Sequence, residues 1–461
     1  MPKRASRPAT LWSQAGTPDA MMMAYTVGDD RTWDTRLLPW DVLGSLGHVE
    51  GLRASGMLSV RDHARLRSGL RQALAAVRSG RLVIGPEHED AHSAVENWLT
   101  RRLGAAGARV HTGRSRNDQV TVDLRLYLKD VLLGLHGQVL DLSDALLAFA
   151  ARHRRALWPG YTHQRRAMPS SAGLWAAGFA EGLLTSAEAL PSLWLRVDRS
   201  PLGSAAGYGV PLPLKREAAM RALGFSALDQ VVTVVQNSRG KLEAAVLAWC
   251  VDLGHDLGRL ASDVILLSAE EFGFLVLPPD LATGSSIMPH KRNPDLFELT
   301  RARAAAVEGD LAATLHLKGK LAGGYHRDFQ LLKEPLFRGL DRTGEMVAML
   351  AHALPRLGVD EVKGRAALRG DALATDEVMR RVEDGVPFRQ AYRAVAEELT
   401  QGVIFTTPTV ADLVRRRRET GNLGNVGVAT LRRRVRAGRQ WNRRERARFD
   451  RAMRRLGGRQ R

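Results

Sequence analysis

The sequence predicts an all-α protein organised around a bundle of long helices, and three observations carry that prediction. Proline is absent between positions 114 and 158, 214 and 277, and 295 and 334, so a helix can run through each stretch without losing a donor or clashing with its preceding turn. In the second stretch Leu242, Val246, Trp249, Leu253, Leu257, Leu260, Val264 and Leu267 recur at steps of three and four, close to the helical period. Between these stretches little of the sequence alternates with the period of a strand.

Taken in chain order, the first long helix is expected over about 121–151, with Leu132, Leu135, Val139, Leu142 and Leu146 on one face. The second, over 242–267, is roughly 40 Å long at 1.5 Å per residue. Its flanks (Ala244, Ala245, Ala248, Val251, Ala261, Ile265) are also small or apolar, so it is expected to pack on more than one side. The third begins at Pro294, which suits a first helical turn, with Asn293 as the expected N-cap. Boundaries near His111 and Leu357 divide the chain into an N-terminal helical unit (1–111), a central bundle (112–357) and a C-terminal helical unit with an arginine-rich tail (358–461).

At 461 residues the chain exceeds what one hydrophobic core normally organises. No run of about 18 apolar residues suggests a membrane span. The first twelve residues are basic but lead into no apolar segment, which argues against a secretory signal and leaves a transit peptide open. Cys250 is the only cysteine, so neither an intrachain disulfide nor a cysteine metal site can form, and a reducing, cytoplasmic setting is expected. The formal charge of +19 is concentrated at the end: fourteen arginines against Glu445 and Asp450 from position 432 onward give +12, leaving +7 elsewhere. That segment is expected to be a solvated or partner-facing extension, although Leu431, Val435, Trp441, Phe449, Met453 and Leu456 would allow part of it to be a helix packed on the C-terminal unit; nucleic acid is expected to engage the protein only there, if anywhere.

The densest chemical signal is Gly284-Ser285-Ser286-Ile287-Met288-Pro289-His290-Lys291-Arg292-Asn293-Pro294. A glycine and two serines make an adaptable segment bounded by two prolines. Lys291, Asn293 and the first amides of the following helix favour an anion. The run resembles the signature of the fumarase/aspartase superfamily, whose members eliminate a group β to a carboxylate. Four further segments resemble the argininosuccinate lyase family within it: 111–120 (HTGRSRNDQV), Gly160-Tyr161-Thr162-His163, the Tyr325, Asp328, Gln330, Lys333 pattern, and Glu89-Asp90-Ala91-His92. The stretches 200–209 and 421–425 resemble bacterial members. An N-terminal motif common in the family is reduced to Leu11-Trp12, and its substrate-contacting serine has no equivalent that the sequence identifies.

The resemblance implies a three-domain fold whose central helices form a multi-helix core in a homotetramer, with each active site drawn from three subunits. It implies reversible cleavage of L-argininosuccinate to L-arginine and fumarate, the last step of arginine biosynthesis. The alternative is another fumarate-releasing reaction of the superfamily, such as that on adenylosuccinate. A catalytic group of Ser285, His163, Glu298 and Lys291 is implied, with Ser285 as base and His163, supported by Glu298, as acid; sequence does not separate that order from the reverse. Ser115, Arg116, Asn117, Thr162, Asn293, Tyr325, Gln330 and Lys333 are implied to bind substrate. No cofactor and no metal is expected, because the substrate carboxylate is itself the electron sink. A purely structural role is opposed by retention of the whole catalytic group. A cut after Arg439 is expected to leave turnover within a few-fold.

Overall fold

The computed structural model describes residues 19–458, so Leu11 and Trp12 lie outside the described residues. Thirteen helices carry the architecture. A short leading helix α1 (Ala20–Val27) precedes α2 (Asp30–Ala54), α3 (Val60–Arg78) and α4 (Ala91–Leu103), which form the N-terminal unit. The bundle follows as α5 (Arg116–Arg152), α6 (Ala172–Val197), the short α7 (Arg216–Ala222), α8 (Lys241–Leu267), α9 (Asp295–Lys318) and α10 (Lys333–Ala353). The C-terminal unit holds α11 (Ala374–Glu383) and α12 (Phe388–Thr400), and α13 (Val428–Gly457) closes the described chain. Strand structure among the described residues is limited to three two-stranded sheets, and the all-α prediction holds.

The apolar stripe predicted on α8 is buried along its length, from Val246 to Leu267. It shares one core with α5, α6, α9 and α10. A second core joins α2, α3 and α4 to one side of α5 through Val122, Leu126 and Leu133. Burial of this apolar surface supplies the main driving force. α5 begins earlier than the hydrophobic pattern indicates, because Ser115 and Asp118 form a capping box. The Ser115 hydroxyl accepts the Asn117 N–H (3.3 Å), while the Asp118 carboxylate accepts the Ser115 N–H (3.0 Å).

Three expectations need correction: the cap of α9, the arginine-rich segment and the cut after Arg439. Asn293 does not cap α9: its amide donates to Gly284 O (3.4 Å), and the helix starts after Pro294 without a side-chain cap. By length and composition α5 is apolar enough to cross a membrane, yet it is enclosed by α2, α6 and α13 and buries Asp123, Arg125 and Lys129. Two of these make buried ion pairs, Lys129 with Asp198 (2.6 Å) and Arg125 with Asp229 (2.6 Å). The arginine-rich segment is no extension but the 30-residue α13, with Leu431, Val435, Phe449, Ala452 and Leu456 buried. It lies on α5, α6, α2 and α3, away from α11 and α12. A cut after Arg439 therefore removes core residues.

Candidate active site

The N-terminal end of α5 faces the start of α10 across a cleft of about 210 Å³. Arg116 and Asn117 line one side; Tyr325, Gln330 and Lys333 line the other. Two segments more than two hundred positions apart thus converge. The loop before α10 is tied to the N-terminal unit: Gln330 Nε2 donates to the carbonyls of Thr26 (3.0 Å) and Val27 (2.9 Å). Arg327 donates to Thr26 O (3.0 Å). Lys333 bridges Asp30 (2.7 Å) and Asp34 (2.5 Å), one helical turn apart on α2.

Charge in the cleft is mixed. Arg116 binds Glu89 (2.7 Å) and Asp90 (3.2 Å), and Arg239 pairs with Glu243 at 3.2 Å. Carboxylates on α2 and cations on α5 and α10 suit a ligand bearing both an ammonium and a carboxylate. Beneath the cleft His92 is buried. Burial would lower its pKa, but Asp41 at 3.3 Å, with Asp90 and Asp123, raises it to about 9. Asp123 is held well above the usual carboxylate range by burial and by Asp41. Burial lifts Asp118 to about 6 even though it accepts N–H bonds from Ser115, Gly203 (3.1 Å) and Ala205 (3.0 Å). These bonds fix the 200–209 loop against the start of α5.

Asp41, His92 and Asp123 are also the one group of metal-ligand type among the described residues, their ligand atoms lying within 4.8 Å of one another. Arg114, buried beside Asp41 and donating to Ser45 Oγ (2.9 Å), already supplies a fixed cation there. A divalent ion would be opposed by it, and an imidazolium between carboxylates accounts for the cluster.

The remaining expected residues project from the chain elsewhere. Strands β1 (Leu157–Thr162) and β2 (Arg165–Ser171) form a hairpin with His163 and Gln164 at its tip, both in the left-handed region at φ 53° and 57°. Such a two-residue turn matches strand twist but strains side chains other than glycine or asparagine. Thr162 and His163 are exposed. The signature segment is a loop closed at its base by paired Thr283 and Asn293 backbones (2.9 and 3.1 Å). Ser285 Oγ accepts N–H bonds from Met288 (3.1 Å) and Ile287 (3.4 Å), and Ile287 is 83% exposed. Among the described residues the side chains of His163, Lys291 and Glu298 make no hydrogen bond or ion pair, with each other or otherwise. One chain brings together Arg116, Asn117, Tyr325, Gln330 and Lys333, with Ser115 beside them as the helix cap. It does not bring Ser285, His163, Glu298, Lys291, Thr162 or Asn293 to that cleft.

Sequence reasoning passed over Asp30, Asp34, Arg239 and Arg327, which also line the cleft. Asp30 and Asp34, at helical spacing, were the readable signal; Arg239 and Arg327 carried none.

Comparison with known proteins defines the class first. The fold is similar to that of an EDDS lyase variant with bound fumarate, with a TM-score of 0.76, 23% identity and 95% of each chain covered. It is also similar to class II fumarase from Schistosoma mansoni (TM-score 0.70, 15% identity, 85% of this chain and 89% of that one). A family described as "Lyase" matches residues 16–309. Argininosuccinate lyase of Sorangium cellulosum is 41% identical over 425 residues, 92% of this chain and 98% of the relative. That of Thermotoga neapolitana is 40% identical over 388 residues, 84% and 98% of the two chains. The chain belongs to the argininosuccinate lyase family.

Proposed function

We propose that this protein catalyses the reversible β-elimination of L-argininosuccinate to L-arginine and fumarate. The observation that carries this reading is the mixed-charge cleft, where Arg116 and Asn117 meet Tyr325, Gln330 and Lys333, while Ser285 and His163 project on exposed segments of the same chain. The arginine half of the substrate, with its ammonium and carboxylate, fits the end formed by Asp30, Asp34, Lys333, Gln330 and Tyr325. The succinyl half extends toward Ser115, Arg116 and Asn117, with Thr162, Lys291 and Asn293 on its carboxylates.

Elimination removes a proton from the carbon between a carboxylate and the carbon bearing the nitrogen. The electron pair moves into that carboxylate as an enolate-like species, then forms the fumarate double bond as the C–N bond breaks. Fixed cations and donors on the carboxylate oxygens lower this barrier. Ser285 takes the proton, its alkoxide stabilised by Lys291 and by backbone N–H groups of its own loop once water is excluded. His163, oriented by Glu298, delivers a proton to the departing guanidino nitrogen.

The hairpin tip and the signature loop complete the cleft of neighbouring subunits, so the active unit is a homotetramer with sites shared by three chains, and it works in the cytoplasm. The test is release of fumarate, followed by ultraviolet absorbance, on adding argininosuccinate, adenylosuccinate or aspartate to the purified protein. Turnover on argininosuccinate alone is expected; comparable or faster turnover on either of the others would overturn the reading.

A further inference from the structure

The last turns of α13 form one wall of a groove of about 540 Å³ whose other walls are the ends of α2 and α7 and one turn of α3. Arg448, Arg451 and Arg455 lie on one face of α13, at spacings of three and four. They face Arg53, Arg67 and Arg221 across the groove. The only carboxylate lining it is Glu50, which engages His63 (3.2 Å) and Arg67 (3.6 Å). Arg448 is held by Asp198 and Glu445. The side chains of Arg53, Arg221, Arg451 and Arg455 have no ion pair or hydrogen bond among the described residues.

Cations near helix C-termini are ordinary, since they offset the terminal carbonyls. At α13, however, Arg71 fills that role, donating to the carbonyls of Leu456 (2.8 Å) and Arg455 (2.9 Å). Four unpaired guanidinium groups around one concavity repel one another, and a bound anion would relieve that repulsion. Ala54, Ala218, Ala222, Gly224 and Ala452 also line the groove, and a Cβ on Gly224 would come within 2.6 Å of Ala452. Elsewhere on α13 Arg434 is neutralised by Glu181 and Glu188, Arg439 by Asp141 and Asp144, and Arg446 by Asp130, while Arg436, Arg443 and Arg454 are exposed and lie outside the groove. In the groove, unpaired arginines from α2, α7 and α13 converge on one concavity, which suits a compact anion better than an extended strand.

We propose that this groove binds a compact polyphosphate group, such as that of inorganic tripolyphosphate or a nucleoside triphosphate, at a site separate from the catalytic cleft. Planar guanidinium forks match phosphate oxygens in pairs, and the groove has the size of a small-molecule site.

The test is calorimetric titration of the full chain with sodium tripolyphosphate at low salt and again at physiological salt. Saturable binding, one per chain, is expected. Arg221→Gln with Arg451→Gln should weaken it by about tenfold or more, as two charge-assisted contacts are lost, while orphaning no carboxylate and leaving turnover unchanged. Arg436→Gln with Arg443→Gln removes the same charge from exposed positions outside the groove and should change affinity less than twofold. Tighter binding of a nucleoside triphosphate than of tripolyphosphate would assign the nucleotide as the source of the phosphates, and equal binding the free polyphosphate. Equal weakening by both variant pairs would reduce the effect to diffuse charge and overturn the proposal. So would the absence of saturable tripolyphosphate binding alongside groove-dependent binding of a single-stranded oligonucleotide.

Discussion

Lys333 is the side chain on which the cleft most depends, because it is buried between two carboxylates on another helix. Removing one partner of a buried ionic cluster leaves uncompensated charge and costs about 3–5 kcal/mol. Lys333→Met is therefore expected to lower the urea midpoint of unfolding markedly, and Asp30→Asn in the same chain to restore part of it. An unchanged midpoint in Lys333→Met would show that solvent already screens Asp30 and Asp34. His92 sets a pH dependence of known sign. Its folded pKa of about 9 lies above the unfolded value near 6.5. The stabilisation is thus fully present below about pH 6.5 and is lost as pH rises through about 9. Thermal midpoints measured from pH 6 to 10 should fall across that window, and His92→Asn should flatten the slope. For the proposed chemistry, Ser285→Ala and His163→Asn should each reduce turnover by about two to four orders of magnitude with secondary structure unchanged. Near-normal turnover in either would remove that residue from the catalytic group.

The hairpin of β1 and β2 presents His163 through a turn that ordinary side chains adopt at a cost of about 1–2 kcal/mol per residue. Gln164, at φ 57°, is the position at which to test it. Gln164→Gly keeps the left-handed conformation and should hold turnover within a few-fold with equal or greater stability. Gln164→Pro fixes φ near −65°, must rebuild the tip, and is expected to cut turnover about a hundredfold or more through misplacement of His163. Equal activity in the two variants would mean that the tip geometry is irrelevant. Proline-free stretches led to α5, α8 and α9 but passed over α2 and α6, which contain Pro39 and Pro191. Both helices persist because their buried faces supply more stabilisation than the lost hydrogen bond removes. A rule about local backbone geometry does not see that burial.

Across the whole molecule α13 ties the end of the chain to its beginning. Asn442 donates to Leu133 O (2.8 Å), Arg71 donates to the carbonyls of Arg455 and Leu456, and Phe449 packs on Trp40. Truncation after Arg439 should therefore destabilise the protein by several kcal/mol, seen as a lower thermal midpoint and loss of soluble protein; an unaltered midpoint would contradict this packing. Assembly has its own signature. Because no single chain carries Ser285 and His163 to the cleft, mixed and reassociated Ser285→Ala and His163→Asn chains should recover part of the activity that each lacks alone. Mixed chains that reassociate and stay inactive would rule out sites shared between subunits.

Sequence alone was enough for the helical class, the long buried stripe of α8 and the family, since each is written in local spacing or an unbroken motif. It also named Arg116, Asn117, Tyr325, Gln330 and Lys333, which converge in the cleft. Where α13 packs was decided only by the tertiary structure, because its apolar residues allow a packed helix but do not say that α5 lies beneath it, with Asp130, Asp141 and Asp144 opposite its arginines. The same holds for Asp30 and Asp34 as partners of Lys333. Pairing between residues hundreds of positions apart depends on how helices pack, and packing is set by the sum of many weak contacts that no local pattern records.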